Sequence, residues 1–136
     1  MGYVFTEVTL KNSTDVNKAI CGEIKEAEIH QKTVQALVDT GAFTLVINEE
    51  LRKELGLVIT GKKKVILANN ERVVYQRTGP VDIHWKDRSA SIRAAVLPET
   101  DKILLGALPL EEMDLIVDPV REELIGRHGD EEIHYI

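Results

Sequence analysis

The sequence predicts a mostly β fold with one or two short helices, on three observations. Several segments rich in β-branched and aromatic residues alternate apolar with polar positions, the period of a half-buried strand. Two pairs of such segments are joined by short polar turns and read as hairpins. Helix signals, by contrast, are confined to two short stretches after Asn48 and around Pro109. A chain of 136 residues with 43% apolar residues is long enough for one well-packed core, so a single domain spanning 1–136 is expected.

Taken in order, Tyr3 to Leu10 reads as a strand and Asn12-Ser13-Thr14-Asp15 as a turn. Met1-Gly2 with Thr6 formally fits an N-myristoylation pattern, but the strand character of residues 3–10 outweighs it. Ile24, Ala27 and Ile29 fit neither helical nor strand spacing well; a strand over 24–29, antiparallel to 33–38, is the expectation. Phe43 to Ile47 reads as strand. Asn48 can cap a helix over 49–55, with Glu49 and Glu50 at its positive end and Gly56 as the residue that ends it. Lys64–Leu67 and Arg72–Tyr75 flank Ala68-Asn69-Asn70-Glu71, where Asn-Asn suits a tight turn. Val81–Trp85 and Ala90–Leu97 form a second hairpin turning at Lys86-Asp87-Arg88, with Val81, Ile83 and Trp85 on the core face and His84 facing solvent. Ile103-Leu104-Leu105 is a further apolar run, and Pro109 marks the first position of a short helix over 109–113. Leu115–Val117 reads as a buried strand; Glu122–Ile125 and Glu131–Ile136 are two more short candidates.

The chain is organised around Ala36-Leu37-Val38-Asp39-Thr40-Gly41-Ala42, where an apolar strand delivers a carboxylate into a tight turn. Alone, such a stretch is more readily an ordinary turn in which Asp39 accepts from its own backbone two residues on and Gly41 supplies a positive φ. It gains meaning from Ile103-Leu104-Leu105-Gly106, a second apolar run broken by glycine just before a helix. The ordered pair resembles the retropepsin-like aspartic proteases, the family of the retroviral proteases and their small cellular and microbial relatives, over about residues 30–119.

That resemblance implies a closed, barrel-like acid-protease fold, with extra N- and C-terminal strands here. It makes Asp39 the catalytic acid, with Thr40, Gly41, Ala42, Leu105 and Gly106 supporting it. The hairpin tip at Leu67, Ala68, Asn69 and Asn70 becomes a flap over bound peptide. One carboxylate is not enough: one acid activates water while a second polarises the scissile carbonyl. No second Asp-Thr-Gly occurs, so the resemblance implies a homodimer acting on a polypeptide, with Asp39 facing Asp39 across a two-fold axis. Thr40 would reach across that axis to the partner's backbone, and the Gly41 N–H would hold the acid in plane. Pepsin-like relatives carry a hydroxyl residue where Ala42 stands, so a pH optimum less acidic than pepsin's is expected.

Three departures qualify the resemblance. Retroviral enzymes pair an acid two residues after the motif glycine with an arginine after the later glycine; Phe43 and Ala107 occupy those positions. The flap tip has no glycine. A catalytically weak or inactive dimeric peptide-binding module of the same fold is therefore the alternative to an active endopeptidase. No cofactor is implied, and His128 and His134 lack companions at metal-ligand spacing. A net charge of −6 argues against nucleic acid as partner, and Lys62-Lys63-Lys64 reads as a solvated strand entrance. The single Cys21, with no membrane-length apolar run and no leader-like N-terminus, points to a cytoplasmic protein without membrane attachment.

Overall fold

The computed structural model describes residues 3–98 and 100–136; Met1 and Gly2, where the acylation-like pattern starts, lie outside them. In chain order the elements are β1 (Phe5–Asn12), α1 (Ser13–Ile20), β2 (Gln31–Val38), β3 (Leu45–Ile47), α2 (Glu49–Glu54), β4 (Ile59–Ile66), β5 (Arg72–Trp85), β6 (Arg88–Val96), β7 (Leu104–Leu105), α3 (Ala107–Glu112), β8 (Leu115–Asp118) and β9 (Glu123–Gly126).

Strand pairing returns on itself. β1 lies antiparallel to β2, β2 parallel to β7, β7 antiparallel to β3, β3 parallel to β6, β6 antiparallel to β5, and β5 antiparallel to β1. Strand β4 stands outside this ring, paired only to the first half of β5. The core fills the ring's interior with Val8, Leu10, Leu45, Ile47, Val81, Ile83, Val96 and Leu105; α2 and α3 add Leu51 and Leu110, and the residues that cap their C-terminal ends add Leu55 and Met113. The strict alternation of Val81, Ile83 and Trp85 is what aims them inward. His84, between them, is half-buried rather than solvent-facing. Burial holds its imidazole below the usual 6.5, Lys11 adds to that, and Asp82 opposes it.

The register shift in β5 has a chemical cause. Between Arg77 and Pro80 the pairing to β6 slips, because Pro80 has no N–H to offer a ladder. The buried Thr78 hydroxyl compensates by accepting from the Ala94 N–H at 3.0 Å while donating to the Gly79 carbonyl at 2.7 Å.

Four local expectations give way. Asn12 to Asp15 is not a free turn: the Asn12 side chain caps α1 by accepting from the Asp15 N–H. Its amide nitrogen also donates to the carbonyls of Leu55 and Gly56, tying α1 to the end of α2. Residues 24–29 are not a strand but hold a 3-10 turn at Glu26–Glu28, and the antiparallel partner of 31–37 is β1. Strand β1 wins because its alternating Val8 and Leu10 can be buried on one face, which Ile24, Ala27 and Ile29 cannot. The helix α3 starts two residues before Pro109, on Gly106 as its cap; proline is tolerated there because first-turn N–H groups have no intrahelical partner anyway. The helix after Asn48 and the Asn-Asn hairpin form as expected, with Asn70 at φ 67°.

The fourth is the C-terminal tail, where 131–136 is not a strand. A lone bridge joins His128 to Glu131, and side chains supply the rest. Arg88, buried, donates to the carbonyls of Met113, Asp114, Gly129 and Glu131. Asp114, also buried, accepts from the Ile133 N–H at 3.0 Å and sits 2.7 Å from His128 Nδ1. The Ile133 N–H, then His128, hold its carboxyl below the ordinary 3.8. A carboxylate with a lowered folded-state value contributes stability that is complete above pH 3.8 and is lost as pH falls through that lower value. Asp114→Asn, which keeps a residue tolerant of the positive φ of 55°, is expected to lower Tm by several degrees near neutral pH. In melts below pH 3.8 the gap to wild type should close.

Candidate active site

Strand β2 ends at Val38, and its backbone carries Asp39 to the rim of the ring, where the Asp39 N–H donates to the Leu105 carbonyl at 3.0 Å. Asp39 is half-buried and Thr40 exposed. The carboxylate accepts from the Gly41 N–H at 2.9 Å, and the turn closes with the Ala42 N–H on the Asp39 carbonyl. This is an Asx turn, but Gly41 is not at positive φ. Its value is proximity: a Cβ there would stand 3.1 Å from the Asp39 carboxylate oxygen.

The second motif is stitched to the first. The N–H groups of Gly106, Ala107 and Leu108 donate to the carbonyls of Thr44, Ala42 and Phe43 at 3.1, 2.8 and 2.9 Å. A Cβ on Gly106 would lie 2.4 Å from the Thr44 carbonyl oxygen and 2.6 Å from that of Ala42, so no other residue fits without moving the acid's turn. Of the residues named from sequence, Asp39, Thr40, Gly41, Ala42, Leu105 and Gly106 therefore converge. At the positions of the retroviral ion pair, the Ala107 N–H donates to the carbonyl of Ala42 and the Phe43 carbonyl accepts from the Leu108 N–H, while the Phe43 ring packs on Tyr75 with centroids 6.0 Å apart.

A cleft of about 630 Å³ flanks Asp39, lined by Tyr3, Val4, Val38, Thr40, Val117, Pro119 and Glu122. Its walls come from both ends of the sequence, and no local signal marked Tyr3, Val117 or Pro119. The exposed tip residues Leu67, Ala68, Asn69 and Asn70 do not line it. Between tip and acid lies a small apolar wall of Val46, Tyr75 and Ala95, with Ala42, Val65, Leu97 and Leu104 packed on it. It faces away from the main core, since Val46 alternates with Leu45 and Ile47.

A family model for aspartyl proteases matches residues 25–107, which hold both motifs. The chain belongs to the aspartyl protease family. Its fold is that of the retropepsins: the structure of the retroviral EIAV protease complexed with the inhibitor HBY-793 superposes with a TM-score of 0.54, at 20% identity, over 81% of this chain and 86% of that one. No curated protein matches the sequence. No helix among the described residues is long and apolar enough to cross a membrane.

The tightest constraint at this site is steric and can be tested as such. Gly106→Ala is expected to destabilise the fold by about 1–3 kcal/mol or more in urea titrations, as overpacking does. Gly61→Ala, where a Cβ meets open space, should cost less.

Proposed function

We propose that this protein is a homodimeric aspartic endopeptidase in which one Asp39 carboxylate from each subunit activates a shared water for attack on a peptide bond. The observation that carries this is the convergence of the two motifs on Asp39: an acid held by the Gly41 N–H at the end of β2, buttressed by Gly106. Membership of the aspartyl protease family supports it.

Dimerisation is required by the chemistry, because a single carboxyl group cannot be base and acid at once. The surface is suited to it. Thr40 is exposed beside the acid, and Tyr3 and Val120 are 74% and 89% exposed. Tyr3 lines the cleft at Asp39, and Val120 lies in the turn between β8 and β9, next to Pro119 of that cleft. A second copy placed on this face would cover apolar surface and bring the two turns together. We place the whole chain, 1–136, in one protease domain of this dimer, acting in the cytoplasm. Substrate would lie extended between the Asp39 turn and the β4–β5 hairpin, its backbone adding as a strand.

Asp39→Asn removes the acid and keeps its shape. Against an unstructured protein substrate, its cleavage rate is expected to fall by at least about 10²–10⁴-fold, with a folded dimer still seen by sedimentation. A statine-type inhibitor should block the wild type. Identical digestion by both proteins would instead leave a peptide-binding module of this fold. The pH–rate profile should peak at less acidic pH than pepsin's, since Ala42 offers no hydroxyl to the ionised dyad; a pepsin-like optimum contradicts this role for Ala42.

A further inference from the structure

Charge in this chain is unevenly placed. The net charge is −6, yet the β4–β5 hairpin carries Lys62, Lys63, Lys64, Arg72 and Arg77 against Glu71 alone between Ile59 and Thr78. Folding adds Arg93, distant in sequence, from β6. Lys62, Lys63, Arg77 and Arg93 line one cleft of about 410 Å³ with Thr60 and Gly61. None of these four cations forms an ion pair among the described residues.

The cleft is built rather than incidental. Arg93 Nη1 donates to Thr60 Oγ1 at 3.1 Å and to the Thr78 carbonyl at 3.4 Å, which fixes the guanidinium. Its own carbonyl accepts from the Thr44 hydroxyl at 3.0 Å, anchoring that end of β6 to the segment that follows the Asp39 turn. The pairing of β4 with β5 shifts between Ile59 and Gly61, and above Gly61 there is open space. Four cations without counter-ions repel one another, and an anion among them relieves that repulsion.

Its position ties it to the candidate site. Directly paired residues share a face of a sheet. Lys63 pairs with Tyr75, Gly61 with Arg77 and Arg77 with Ala95, so the cations of Lys63 and Arg77 continue the face that holds Tyr75 and Ala95. That face is the apolar wall beside Phe43 and Ala42. Lysines on β4 alone could be explained as protection of an edge strand against unwanted pairing. Arg77 and Arg93 are on inner strands of the sheet, where no edge needs guarding.

We propose that this cleft is a distal substrate subsite that selects an acidic side chain, Asp or Glu, of the bound polypeptide. The arginine forks suit a carboxylate, which they can grip through two parallel hydrogen bonds. Along the sheet order β2-β7-β3-β6, three strand spacings of about 4.8 Å separate the end of β2, which carries Asp39, from β6, which carries Arg93, and an extended chain rises about 3.3 Å per residue. The selected acid therefore stands about three to five residues from the scissile bond. The assignment rests on the peptidase function proposed above, and its test has one arm that needs no catalysis.

In that arm, Asp39→Asn protein is titrated with a fluorescein-labelled twelve-residue peptide alternating leucine and glutamate, and with its glutamine counterpart, by fluorescence anisotropy. The glutamate peptide should bind about tenfold tighter at about 50 mM NaCl, and less so at about 500 mM, where screening shortens to a few ångströms. Arg77→Gln/Arg93→Gln should abolish the preference. Lys62→Gln/Lys63→Gln, at exposed positions where folding is not at stake, should weaken it. In the second arm, active protein digests a proteome-derived peptide mixture, and Asp and Glu should be enriched at one position three to five residues from the cut. Cleavage without enrichment, or equal binding of the two peptides, overturns the subsite. Glutamate preference without any cleavage keeps the subsite and overturns the peptidase. Tighter binding of a twelve-nucleotide oligothymidylate, lost in the same variants while peptide binding is unchanged, would assign the cleft to nucleic acid and overturn the proposal.

Discussion

Three backbone hydrogen bonds, from Gly106, Ala107 and Leu108 to the carbonyls of residues 42–44, hold together what the chain keeps more than sixty positions apart. They are possible only because residue 106 has no side chain, with the Thr44 and Ala42 carbonyls 2.4 and 2.6 Å from where a Cβ would be. Strand β7 is only two residues long, yet it joins β2 to β3 inside the ring. The same contact thus closes the barrel and sets the height at which the acid stands. Pairing within the ring and placement of the Asp39 turn therefore share one constraint.

What was legible in the sequence was whatever is decided locally. Period-two alternation placed Val81, Ile83 and Trp85 in the core, and Asn48 with two glutamates and Gly56 marked α2 at nearly its true limits. Asp39 with its glycine, and Gly106 with the apolar residues before it, were readable as a pair because the family's turn needs those residue types. The illegible parts depend on distant partners. Helix α1 does place Val16, Ala19 and Ile20 at helical spacing, but it is only eight residues long and Ile20 is 77% exposed, so this brief stripe is outweighed by the turn residues Asn12 to Asp15. Asn12 ties it to the end of α2. The segment 131–136 reads as a strand because Ile133 and Tyr135 alternate with polar residues. Its backbone is satisfied instead by Arg88 and Asp114, side chains whose burial no local pattern reveals.

The same limit applies to charge. Lys62 to Lys64 read as a solvated strand entrance, which is fair for three consecutive lysines. Only the β4–β5 register, which sets Gly61 against Arg77, and the placement of β6 bring Arg77 and Arg93 beside them. A polar surface in sequence thus becomes a cationic concavity in space, on a molecule that is otherwise acidic.

The ring topology divides the molecule mechanically. Since β4 lies outside the circle of pairings, its hydrogen bonds can open without unlacing any strand that contains the core. The second half of β5 stays gripped on both edges by β1 and β6, so loosening of the hairpin stops near Thr78. The hairpin tip is thus joined by pairing to the ring through β5 alone, whichever residues form it.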